Sequence, residues 1–144
     1  MMIIKQLSVF LENKPGRLCA ATDALAKEDI NISALTLADT SEFGILRMIV
    51  DQPEKARQVL IDSGVVVRLS DVIAVAMDDA PGGAVGILHL LSEAGLNVEY
   101  MYACVGNLSG KALMIIRTDD TEVAAATLHR GGYGDINPAE IYRI

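Results

Sequence analysis

The feature that most constrains this chain is that it reads twice. Pro15-Gly16 recurs as Pro81-Gly82, 66 positions on, and in the same register Leu25 meets Leu91, Asn31 meets Asn97 and the β-branched Ile32 meets Val98. Further along, Met48-Ile49-Val50 lines up with Met114-Ile115-Ile116. One repeated dipeptide carries no weight, but five landmarks in a single register mark a duplication, and a repeat defines the unit to be folded before any local pattern is read. The 144 residues therefore divide into two expected domains, residues 1–70 and 71–144.

Each unit has the same element order. Ile3, Leu7, Val9 and Leu11 follow the period of two of a strand. The breaker Asn13-Lys14-Pro15-Gly16 precedes Leu18, Ala21 and Leu25, which share one helical face and predict a core stripe. Ile32–Ala38 and Ile45–Val50 are strands around a polar turn at Asp39–Glu42. Asp51, with Pro53 and Glu54 after it, predicts an N-cap of capping-box type for a helix carrying Ala56, Val59 and Leu60. Gly64 ends that helix, and Val65–Leu69 is a fourth strand. The second unit predicts strand Val72–Met77, helix Gly82–Glu93, strand Val98–Val105, turn Gly106–Gly110, strand Ala112–Thr118, helix Asp120–His129 and strand Glu140–Ile144. The fold class is α+β: two tandem βαββαβ, ferredoxin-like sandwiches, each an antiparallel sheet in order 4-1-3-2 with both helices on one face. The bare face of each sheet needs a partner or a polar surface. With only Ser70 or so between the fourth strand and the next first strand, the units are expected side by side or face to face.

Composition removes several function classes. A net charge of −7 opposes nucleic-acid binding, which needs a basic surface. Nothing approaches the run of about 18 apolar residues of a membrane span. Met1-Met2-Ile3-Ile4-Lys5-Gln6 does not resemble a signal peptide, so a cytoplasmic protein is expected. Cys19 and Cys104 have no metal or redox spacing and read as two buried thiols. The halves differ: residues 1–70 carry eight Lys/Arg and nine Asp/Glu, whereas 71–144 carry four and ten, with all four tyrosines.

Leu11-Glu12-Asn13-Lys14-Pro15-Gly16-Arg17-Leu18, followed by Glu28-Asp29-Ile30-Asn31-Ile32, resembles the signature of the ACT domain family. Asp79-Ala80-Pro81-Gly82-Gly83-Ala84 with Ala94-Gly95-Leu96-Asn97-Val98 resembles it again, so the likeness covers nearly the whole chain. Two departures stand out. Asp29 occupies a position usually held by Gly, although Asp tolerates left-handed geometry, and in the second copy Ala84 replaces the usual Leu while Asp79 stands where the first copy has Asn13. ACT domains are regulatory modules that generally bind amino acids between paired domains. The resemblance implies a ligand held between the first loop of one unit and the start of the second strand of its partner. The residues it marks are Asn13, Pro15, Gly16, Arg17 and Leu18 with Asn97 and Val98, and Asp79, Pro81, Gly82 and Gly83 with Asn31 and Ile32.

Physically, Gly16 and Gly82 allow close approach to a ligand beside helix-terminal N–H groups, or simply make tight turns. An Asn amide offers both donor and acceptor to a zwitterion, or satisfies a turn. Asp79 would attract an ammonium and repel a carboxylate, so two inequivalent sites are expected. Tyr100 and Tyr102 share a strand face after Asn97, where packing is the favoured role and lining the second site the alternative. His89 and His129 lack partners at metal or triad spacing, and Asp78-Asp79 falls short of a hard-cation shell. The reading is a non-catalytic amino-acid-binding regulator without metal or cofactor, a homodimer through sheet edges or faces. A ligand-free interaction module is the runner-up. A small enzyme on the same fold comes third, because no catalytic constellation converges.

Overall fold

The structure, a computed structural model, describes residues 2–39, 42–104, 110–134, 136 and 141. Its elements are β1 (Ile3–Glu12), α1 (Arg17–Lys27), β2 (Ile32–Asp39), β3 (Phe43–Val50), α2 (Pro53–Asp62), β4 (Val66–Asp78), α3 (Val85–Glu93), β5 (Val98–Ala103), β6 (Lys111–Thr118) and α4 (Thr121–Arg130). The α+β class and antiparallel pairing follow the sequence reading. The chain divides into two compact units, Lys5–Ser70 and a second made of Asp71–Ile144 with Met1–Ile4.

In Lys5–Ser70 the strand order is β2-β3-β1-β4, the order 4-1-3-2 that right-handed crossovers dictate. Leu7, Val9 and Leu11 on β1 and Leu46, Met48 and Val50 on β3 are buried with Ala21 and Leu25 of α1 and Ala56 and Leu60 of α2. In the second unit β4 is followed by β6 and β5, and its core joins Ile73, Val75 and Ile116 to Ile87, Leu91, Ala124 and Leu128. Full burial of such a side chain contributes about 1.5–3 kcal/mol. The flank of β4 in this unit is taken by the start of β1, where Met2 O accepts from Ala74 N at 2.8 Å and the Met2 side chain is 2% exposed. The strand expected at Glu140–Ile144 lies outside the described residues apart from Ile141, which is helical and buried. The turn expected at Gly106–Gly110 is likewise outside them apart from Gly110.

Several expectations are corrected. The strands read as Val65–Leu69 and Val72–Met77 are one continuous β4, because nothing between Val66 and Asp78 breaks extended backbone. The repeat also changes register. Leu7 pairs with Met48 and Ile73 with Ile116, while Ile32 pairs with Val50 and Val98 with Thr118. Met48 therefore corresponds to Ile116, not Met114, so the offset is 66 before the hairpin and 68 after it. Ten residues separate Ala103 from Met114 where eight separate Leu37 from Leu46. A shift of two keeps every strand side chain on its own face, so periodicity could not reveal it.

Asp51 does not cap α2. Gln52 is the N-cap, without a side-chain cap bond, and Pro53 is the first helical residue. In the copy, Asp120 does cap α4, accepting from Val123 N at 3.1 Å. Leu18 is 37% exposed and leaves the stripe to Ala21 and Leu25. Cys19 is exposed and donates to Asp23 Oδ2, because it lies on the outer side of α1. Cys104 is buried as expected, and that burial pushes its thiol pKa up to about 11. Finally, α3 begins at Val85 rather than Gly82, since Gly82–Ala84 form a turn.

Candidate functional site

The loop between β1 and α1 is closed by backbone bonds. Asn13 N donates to Glu42 O at 2.9 Å, Lys14 N to Glu12 O at 2.9 Å and Arg17 N to Lys14 O at 3.3 Å. Gly16 turns the chain into α1 with φ 86°, a left-handed conformation that disfavours any side chain, and the space above it is open. Glu12, omitted from the site by sequence reasoning, is its electrostatic centre. Its carboxylate meets Lys14 Nζ at 3.1 Å and Arg17 Nη2 at 3.8 Å. The hydrogen bond and charge of Lys14, then the charge of Arg17, hold the Glu12 carboxyl below its usual pKa. Two cations within five residues of a carboxylate were the available signal.

The copy repeats the backbone and changes the chemistry. Asp79 N donates to Gly110 O at 3.1 Å and Gly83 N to Ala80 O at 3.0 Å, while Gly82 takes φ 82° with open space above. A Cβ on Gly83 would sit 2.0 Å from Asp78 O, so this glycine is required by the fold of the loop. Asp78 is ion-paired with Lys111 of β6, which removes one member of the acidic pair. Among the described residues, no group of three or more His, Cys, Asp and Glu could hold a metal.

Asn31 and Asn97 enter by their backbones. Asn31 N donates to Asp51 Oδ1 at 3.0 Å and Asn31 O accepts from Asp51 N at 3.2 Å. Asn97 is held identically by Asp119, at 3.1 Å and 3.2 Å. Asp51 thus locks the strand start, a role the sequence reading gave to helix capping. A register shift follows at once in both copies, between Ile32 and Ala34 and between Val98 and Tyr100. Such bulges re-aim neighbouring side chains and recur beside binding sites. Both Asn side chains are exposed.

Within one unit the two halves of the motif are not brought together. Gly44 pairs with Leu11 and Asp39 beside the loop, whereas Val50 pairs with Ile32 at the far end of β3. About seven strand residues, or roughly 23 Å, separate Asn13–Leu18 from Asn31. The second unit has the same antiparallel layout, with Asp78 opposite Lys111 and Val98 opposite Thr118.

A family model described as an ACT domain pair matches residues 2–130. The chain belongs to the ACT domain family. The crystal structure of a Bacteroides thetaiotaomicron protein superposes with a TM-score of 0.91 at 38% identity, covering 99% of this chain and 98% of that one. The ligand-free regulatory subunit of aspartate kinase from Thermus thermophilus gives 0.63 at 14% identity, covering 91% and 97%. Its Thermus flavus counterpart gives 0.61 at 17%, covering 92% and 97%. At those identities the two kinase subunits share the fold. Among curated protein sequences none matches significantly.

The remaining candidates of this ACT pair are structural or open to solvent. Tyr102 is 9% exposed, consistent with packing, and Tyr100 is half-buried opposite Arg117. His89 and His129 lie exposed on α3 and α4. Two cavities open around the first ACT loop. A small one of about 70 Å³ lies under Asn13, Lys14 and Leu18 against Leu37 of β2. A larger one of about 320 Å³ lies between β1, α1 and the turn from α2 to β4. No helix among the described residues is long and apolar enough to cross a membrane.

Proposed function

We propose that this ACT pair is a non-catalytic regulatory protein that binds a free amino acid between ACT modules and transmits its presence to a target protein in the cytoplasm. The observation that carries this reading is the repeated construction of two half-sites. Each has a left-handed glycine loop with open space above it, and at the opposite end of the same sheet an Asn locked by an Asp. Because one module keeps its halves about 23 Å apart, a ligand using both must be shared between modules. One pairing joins Asn13, Pro15, Gly16, Arg17 and Leu18 to Asn97 and Val98; the other joins Asp79, Pro81, Gly82 and Gly83 to Asn31 and Ile32. Fold-level likeness to regulatory subunits of aspartate kinase supports a regulatory role. The mechanism is linkage: a ligand bound better by one arrangement of modules shifts the population that a partner reads.

A second reading, a ligand-free assembly module that dimerises through sheet edges or faces, is favoured by Leu35 and Leu37, whose side chains leave one face of the sheet apolar at its edge. They lie 42% and 50% exposed on edge strand β2. A thermal-denaturation screen with the twenty amino acids separates the two. A ligand binding only the native state adds RT ln(1 + [L]/Kd), about 2.7 kcal/mol at a hundred times Kd. A raised Tm with one amino acid supports regulation by ligand, and an unmoved transition with all of them favours assembly.

A further inference from the structure

We propose that the larger cavity of the first unit is a second ligand site, formed within one module, for an amino acid with a bulky aromatic or aliphatic side chain. Its floor is Leu11, Ala20 and Ala21, and its far wall is the Ser63–Val66 turn. At about 320 Å³ it falls at the lower end of small-molecule pockets, which run from about 300 to 1,000 Å³. The chain has only two Phe residues, and both line this opening rather than a core. Phe10 is 39% exposed, Phe43 51% and their neighbour Val66 66%. Glu12 and Arg17 complete the lining, placing one anion and one cation beside an apolar surface. Glu12 and Arg17 meet each other at 3.8 Å and Glu12 also meets Lys14. A zwitterion would exchange these exposed contacts for its ammonium on Glu12 and its carboxylate on Arg17, with its side chain against the phenyl rings.

The duplicated module shows what the space accepts. Val65 N bonds Leu60 O after left-handed Gly64, and Tyr133 N bonds Leu128 O after left-handed Gly132, so Tyr133 is the counterpart of Val65. Ala20 corresponds to Gly86 in the helix register that pairs Leu25 with Leu91. A Cβ on Gly86 would lie 2.7 Å from the Tyr133 hydroxyl, and Tyr133 packs on the core of its unit. The second module thus fills with its own phenol the region that the first leaves open. It also replaces Arg17 by Gly83 and Phe43 by Lys111, so the cation and one phenyl ring are lost where the space is filled, while the carboxylate of Glu12 persists as Asp78.

The test follows backbone amides of the full chain by two-dimensional NMR during titration with L-phenylalanine. Saturable shifts are expected at Ser63, Gly64 and Val66, and none there with glycine. Phenylpropionate and phenethylamine, each lacking one charge, should bind about tenfold more weakly or worse. Ala20→Gly/Val65→Tyr installs the second module's own filling and should abolish the shifts. Phe43→Ala, at an exposed position, should weaken them without touching the core. Unmoved amides at residues 63–66, or binding unaltered in both variants, overturns the proposal. Shifts confined to Asn31 and Asn97 also overturn it while leaving the inter-module reading intact. Shifts at 63–66 without any at Asn31 or Asn97 support the cavity and count against that reading.

Discussion

The loops at Glu12–Leu18 and Asp78–Ala84 have one backbone and opposite electrostatics. The first carries one carboxylate and two cations, whereas the second carries two carboxylates and draws its cation, Lys111, from a neighbouring strand. Gly16 and Gly82 are retained because φ near +85° excludes most side chains. What surrounds them has diverged. The duplication therefore preserved the backbone of the loop before the helix and separated the chemistry of the two copies. A carboxylate approaching Asp79 meets repulsion that Asn13 does not impose, so the copies should not bind the same ligand equally.

The sharpest way to break this comparison is to exchange the position that differs most. Gly83→Arg, which copies Arg17 into the second loop, drives a Cβ into Asp78 O and should destabilise the second unit by about 3 kcal/mol or more. The reverse change, Arg17→Gly at the exposed start of α1, should cost no more than about 1 kcal/mol. Urea denaturation of both variants decides it. Similar losses would mean that the loops differ in charge but not in backbone tolerance.

Ligand binding sharpens the contrast further. Asn97→Ala should weaken amino-acid binding at the Asn13 loop by the worth of one or two hydrogen bonds to charged groups, about 1.5–3 kcal/mol each. Asp79→Asn should strengthen binding at the other loop. Titration calorimetry that finds affinities unaltered in both variants would reduce these residues to turn formation.

The fold was legible where periodicity and breakers agreed. Leu7, Val9 and Leu11, then Ala21 and Leu25, took the faces their spacing demanded. Less legible was anything that period two conserves, such as the two-residue shift that makes Ile116 the equivalent of Met48 in the repeat. A break was over-read at Ser70-Asp71, where the apolar alternation is interrupted but the extended backbone of β4 is not. The entry of Met2–Ile4 into the second unit depends on tertiary placement that local sequence does not encode. At the site, glycine geometry could be inferred from Pro-Gly followed by a helix. The Asp51–Asn31 and Asp119–Asn97 locks could not, because Asp before a helix signals a cap equally well.

That ambiguity yields a smaller effect. The second unit divides the work between Asp119, which locks Asn97, and Asp120, which caps α4; the first has Asp51 for the lock and uncapped Gln52. Gln52→Asp should complete the parallel and stabilise the first unit by about 1 kcal/mol, read as a rise in the urea midpoint at constant m. No gain would show that Pro53 and the solvent already satisfy the first turn of α2.

The smallest expected change tests the departure at Asp29. It sits at φ 57°, where the copy has Gly95 at φ 73°, and it is the one non-glycine residue with positive φ among those described. A left-handed L-residue costs about 1–2 kcal/mol, less for Asp, whose short side chain can bond locally. Glycine removes that strain but gives the unfolded chain more freedom, a penalty of about 0.5–1 kcal/mol where it replaces alanine in regular structure. The two effects nearly cancel, leaving Asp29→Gly stabilising by about 0.5 kcal/mol or less. Gly95→Ala has no such compensation and should destabilise by about 1 kcal/mol. Paired thermal melts of the two variants therefore move in opposite directions. If Asp29→Gly instead lowers Tm, the carboxylate contributes more than its backbone costs, and Asp29→Asn should then recover most of the loss by keeping the side chain's hydrogen-bonding shape without its charge.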